Sequence, residues 1–101
     1  MFAVIAGQSK GLAGIAVARA RLEQLEVGVP ECDRFVTAVS AVLSCEQMPI
    51  ETRVDLGNET AQFWSLPTAR LKADDLQRIS AVCSQSLLSL EAQAATMGCG
   101  P

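Results

Sequence analysis

The clearest hydrophobic pattern lies near the C-terminus. Between Ala73 and Met97, the apolar residues Leu76, Ile79, Cys83, Leu87, Leu90, Ala94 and Met97 recur at steps of three and four. At 3.6 residues per turn these positions share one narrow stripe, with Asp74, Arg78 and Gln85 on the opposite side. Asp74 and Asp75 fall in the first turn, where carboxylates meet the positive end of the helix dipole. Gly98 follows the stripe at a usual helix stop. The pattern predicts a long amphipathic helix in which Leu76, Ile79, Leu87 and Leu90 carry the core.

Two further helices are predicted upstream. Gly28-Val29-Pro30 breaks the chain, and Pro30 suits the first turn of a new helix, with Glu31 and Asp33 adding negative charge there. Cys32, Phe35, Val36, Val39, Val42 and Leu43 then form an apolar face running to about Gln47. The preceding helix is predicted from about Ser9 to Val27, with Ile15, Ala18, Leu22 and Leu25 as its stripe and Leu12 at the margin. Ala13, Ala16, Val17 and Ala20 cover its other side, so it carries more apolar surface than one buried face needs.

After Met48-Pro49 the period changes to two. Ile50, Thr52, Val54 and Leu56 alternate with Glu51, Arg53 and Asp55, which reads as an amphipathic strand. Gly57-Asn58 suits a two-residue hairpin turn, and a returning strand runs from Glu59 to Leu66, where Pro67 stops it. Thr68 to Lys72 is expected as a brief extended link. The fold class expected is α+β, predominantly helical: a single domain over 1–101, about three helices, a β-hairpin at about 50–66 and the long C-terminal helix. The alternative is an all-α bundle in which Asn58 caps a short helix.

Residues 2–14 admit three readings. Phe2-Ala3-Val4-Ile5-Ala6 followed by Gly7-Gln8-Ser9-Lys10-Gly11-Leu12-Ala13-Gly14 has the form of a strand and a glycine-rich turn leading into a helix. This stretch resembles the TGxxxGxG opening of short-chain dehydrogenases, with Gly7 and Gly11 in place, Ala6 for the threonine and Ala13 for the third glycine. The resemblance implies nucleotide binding. It covers about a dozen residues, and the Tyr-x-x-x-Lys pair of that family has no counterpart in a chain without tyrosine. A second reading is a targeting segment, because Lys10, a short apolar run and Ala18-Arg19-Ala20 imitate a signal peptide and its cleavage site. The third is the start of the first helix. Gln8, Ser9 and Lys10 interrupt any run long enough to span a membrane.

Composition narrows the function classes. The chain has 101 residues, half of them hydrophobic, and a net charge of −3; its pI is about 4.8. No broad field draws it to nucleic acid or an anionic membrane. Histidine is absent, which removes the commonest general base and the commonest metal ligand. The cysteines at 32, 45, 83 and 99 are widely spaced with no CxxC. Cys32 and Cys83 lie on apolar helix faces, where cysteine acts as a small hydrophobe, and Cys45 lies off its face. Four thiols so placed predict a reducing, cytoplasmic setting and no zinc site. Arginine outnumbers lysine six to two and alanine is plentiful, a composition associated with GC-rich bacterial genomes.

No catalytic constellation emerges, so neither an enzyme nor a cofactor is expected. Partner-binding candidates are Trp64 and Phe63, which would project from opposite faces of the second strand, and Leu12 and Val17 on the apolar first helix. The function expected is a non-enzymatic protein–protein interaction module of adaptor, chaperone-like or antiactivator type, binding a protein partner or itself as a homodimer. Small size, acidity, the mixed α+β structure expected and the amphipathic C-terminal helix resemble the general properties of type III secretion chaperones. The alternative is a structural subunit of a larger assembly.

Overall fold

The computed structural model describes residues 2–65 and 71–99, with residues 2–10 as backbone only. Its elements are α1 (Phe2–Glu23), α2 (Pro30–Val42), α3 (Ile50–Phe63) and α4 (Ala73–Thr96). No strand occurs among the described residues, so the α+β expectation is corrected to an all-helical fold. The expected features at Leu66, at Pro67, over Thr68 to Arg70 and at Pro101 lie outside the described residues.

The hairpin expected at 50–66 is replaced by α3, and Gly57-Asn58 falls inside the helix. The physical reason is visible on the face that meets α1. Ile50, Val54, Gly57 and Ala61 recur at steps of four, three and four, a helical stripe whose second half consists of small residues. Gly57 is buried, and a Cβ placed there would stand 2.8 Å from Ala18 Cβ and 3.2 Å from Leu43 Cδ2. The glycine permits backbone approach; it does not turn the chain. Asn58 is not a cap either, since its Oδ1 accepts a hydrogen bond from Arg21 Nη1 at 2.9 Å in mid-helix. Helix α3 instead starts at Ile50, with Pro49 at the N-cap position, whose carbonyl accepts from the Arg53 N–H.

The same small-residue contact corrects the strand-and-turn reading of the N-terminal segment. Residues 2–23 form one continuous helix, so there is neither a strand at Phe2–Ala6 nor a glycine-rich phosphate turn. Gly11 lies against Ile50 and Gly14 against Val54, where a Cβ would come within 2.8 Å and 3.1 Å of their side chains. Proceeding from Gly11 to Gly14 to Ala18 on α1 matches Ile50 to Val54 to Gly57 on α3, so the two helices run parallel. Helix α1 ends at Glu23, short of the expected Val27. The turn that follows is held by Asp33, whose Oδ1 accepts from the buried Val27 N–H at 3.0 Å.

Helix α2 starts at Pro30 as expected, and Val36, Val39 and Val42 are buried along it. It ends at Val42, and bonds from Cys45 N–H to Val42 O and from Met48 N–H to Cys45 O carry the chain through turns towards α3. Arg53 closes this corner, donating from Nε to Met48 O (2.9 Å) and from Nη1 to Leu43 O (3.0 Å). A guanidinium there also meets the negative end of the α2 dipole.

The C-terminal helix forms as its pattern predicts. Cys83, Leu90 and Ala94 are buried, Leu76, Ile79 and Leu87 are half-buried, and Met97 is exposed. Gly98 adopts φ +81°, with the Cys99 N–H bonded to Ala94 O and the Gly98 N–H to Ala95 O. This pair of bonds is the Schellman stop. Among the described residues, and at the level of backbone approach, α4 meets only α2 of the other helices, while α2 also touches α1 and α3.

The cysteines are not free. Cys32 is bonded to Cys83 and Cys45 to Cys99, with Cα–Cα distances of 4.9 and 5.6 Å. Both links join α2 and its following turn to α4 or its stop, and their order shows that α2 and α4 also run parallel. The expectation of small-hydrophobe thiols is therefore corrected. A helix resting on one neighbour buries limited area, and two covalent links supply what packing alone does not.

Candidate docking surface

Helices α2, α3 and α4 enclose a groove of about 340 Å³ lined by Phe35, Leu56, Val82 and Leu90, with Gln85, Ser86, Ser89 and Gln93 along α4. Each helix places its residue for a local reason. Leu56 precedes Gly57 by one position, so it points about 100° away from the face that meets α1. Phe35 stands beside the buried Val36 at the edge of the α2 core face, and is half-buried. Leu90 belongs to the packed stripe of α4, whereas Val82 lies off it and is half exposed. None of these eight lining residues is charged. An apolar floor with an uncharged polar rim suits a large apolar side chain presented by another chain, because desolvation there strands no ion.

A larger cleft of about 700 Å³ lies between α1 and α2. Its wall includes Arg19, Glu23, Glu26, Asp33, Thr37, Ser40 and Ser44. Arg19 Nη2 donates to Ser44 Oγ at 2.7 Å, and Asp33 is engaged by the Val27 backbone. Arg19 Nε is buried without a hydrogen bond. Three carboxylates against one guanidinium leave the cleft negative, so an anion drawn to Arg19 would meet repulsion. Volume favours this cleft, but three of its polar groups, Arg19, Asp33 and Ser44, already serve the chain's own fold. The smaller apolar groove is the better docking candidate.

The partner-binding residues expected from the sequence do not come together. Leu12 and Val17 are 66% and 56% exposed on α1. Phe63 is 60% exposed at the far end of α3, about 20 Å along the helix from Ile50. Consecutive helical positions do not place Phe63 and Trp64 on opposite faces. Their rings meet edge-on with centroids 4.8 Å apart, and Trp64 is half-buried against the core. None of the four lines the groove. The sequence does not single out Phe35, Leu56 and Val82 as a site; the signal for it is Val82, a large apolar residue of α4 outside the helix's stripe.

Leu88 is 68% exposed on the outer face of α4. Ala81, Gln85, Ala92 and Ala95 are exposed with it, spaced by four, three, four and three residues. Glu31, at the start of α2, has its carboxyl held below the usual carboxylate range by its backbone hydrogen bond, then by Ser80 of α4, with Arg34 adding to the effect. Among the described residues no cluster of three or more His, Cys, Asp or Glu side chains is placed to hold a metal ion. No described helix is long and apolar enough to cross a membrane.

No family model matches the chain, and neither a curated protein nor a solved structure matches it.

Proposed function

We propose that this chain is a non-enzymatic protein-interaction module, of adaptor or antiactivator type, that docks a partner helix in the groove between α2, α3 and α4. The observation that carries the reading is the uncharged apolar floor of Phe35, Leu56, Val82 and Leu90. The partner is a short amphipathic helix presenting one or two large apolar side chains, since the groove has room for little more. Paired cysteines at bonding distance support an oxidising compartment in place of the cytoplasmic one expected from free thiols.

The test is selection of binding peptides from a displayed library, followed by affinity measurement on two variants. Val82→Asp should weaken the selected peptides at least about tenfold, which is 1.4 kcal/mol. Leu12→Asp, on the distant face of α1, should leave them unchanged. Equal binding to both variants would remove the groove from consideration.

One observation favours a second reading, a subunit that assembles with its own copies. The exposed positions 81, 85, 88, 92 and 95 follow the heptad spacing of a helix–helix seam, with no charge among them. Light scattering distinguishes the two: a dimer that Leu88→Glu converts to monomer supports self-assembly, and a concentration-independent monomer removes it.

A further inference from the structure

The two disulfides differ in access. Cys32 and Cys83 are both 0% exposed. Cys45 and Cys99 are half-buried, and they line an open pocket of about 390 Å³ together with Ala41, Ser44, Glu46, Gln47 and Gly98. We propose that Cys45–Cys99 is a reversible clasp, a thiol–disulfide exchange site that a dithiol reductant opens on the folded protein while Cys32–Cys83 stays closed. Exchange requires a thiolate to reach a sulfur directly. Only the outer pair offers that approach, since the inner pair becomes reachable only when α2 and α4 separate.

The chemistry balances as a two-electron exchange. A thiolate of the reductant attacks one sulfur of the pair, the Cys45–Cys99 bond breaks, and the other sulfur leaves as a thiolate that takes a proton from water. The second thiol of the reductant then breaks the mixed disulfide. The reductant ends as its own disulfide, and Cys45 and Cys99 each carry a hydrogen.

The consequence follows from where the clasp sits. Cys99 is the residue after the Gly98 stop, and Cys45 lies in the turn between α2 and α3. Opening the bond frees the chain after α4 from that turn and widens the pocket the two cysteines line. The buried Leu90 and Ala94 and the sealed inner bond keep α4 on α2. The device is therefore local: one end of α4 is released and the helical fold persists.

The experiment treats the intact oxidised protein with a graded series of dithiothreitol under native conditions, quenches with an alkylating reagent and assigns the labelled cysteines by peptide mass spectrometry. Cys45 and Cys99 should be labelled at least about tenfold faster than Cys32 and Cys83, with unchanged far-UV circular dichroism. Simultaneous labelling of all four, earlier labelling of the inner pair, or protection of both pairs until denaturation would each overturn the proposal. The double variant C45S/C99S gives a second arm. It should fold, with faster amide exchange confined to the last turn of α4 and the segment after it; an unfolded variant would show that the clasp cannot open on a folded protein.

Discussion

Replacing Gly57 by Ala separates a helix that uses glycine for close approach from one that merely tolerates it. In an exposed helix interior the change stabilises by roughly 1 kcal/mol, because alanine has the better helix propensity. Here the added methyl would lie 2.8 Å from Ala18 Cβ and 3.2 Å from Leu43 Cδ2. Leu43 can give by rotating its side chain, but the Ala18 Cβ is fixed to the α1 backbone, so the helices must move apart. Overpacking of this kind costs about 1–3 kcal/mol and more where backbones must shift. The net expectation is destabilisation by about 1–2 kcal/mol, a drop in Tm of several degrees for a domain of this size. The reciprocal double change, Ala18→Gly with Gly57→Ala, moves the methyl across the same contact and leaves overall propensity unchanged. It should recover most of the loss, giving a coupling energy of about 1.5–2.5 kcal/mol. Urea unfolding followed by far-UV circular dichroism, with both disulfides intact, measures all four corners of the cycle. A stabilising Gly57→Ala, or additive effects in the double variant, would refute the parallel α1–α3 contact.

Two further outcomes follow from the links between α2 and α4. Removing the inner disulfide as C32S/C83S opens a loop spanning a sequence separation of 51, for which chain entropy gives about 4 kcal/mol; a loss below about 1 kcal/mol in urea unfolding would show the bond to be dispensable. Glu31 has a carboxyl held low in the folded state, so its contribution is present above its unfolded value and is lost as pH falls through the folded one. Stability measured from neutral pH down through the acid range should therefore decline less steeply in Glu31→Gln than in the parent, and identical slopes would show that Glu31 does not tie α2 to Ser80.

Much of the helical frame was legible in the chain. The stripe from Leu76 to Ala94, the break at Gly28-Val29-Pro30, the start of α2 at Pro30 and the stop at Gly98 all rest on local physics: period, fixed proline φ and the left-handed conformation open to glycine. These signals act within a few residues, so no partner element is needed to interpret them.

What the chain left open depended on neighbours distant in sequence. Residues 50–56 satisfy a period of two and a period near 3.6 equally well, and Gly57-Asn58 reads as a turn when nothing shows what lies opposite. Only the approach of α1, through Gly11, Gly14 and Ala18, makes Gly57 and Ala61 a buried helical face. Small residues pack by letting backbones meet, and a hydrophobic pattern does not register them. Cysteine pairing is likewise invisible along the chain, because separations of 51 and 54 residues become bonds only when α2 and α4 lie side by side in parallel. The groove of Phe35, Leu56, Val82 and Leu90 joins three helices, and each contributes a residue at the margin of its own stripe. The sequence by itself determined where α2 begins and where α4 begins and ends. Which faces meet, which thiols bond and where a partner can dock were decided by tertiary packing, because each depends on distances between elements that no local period encodes.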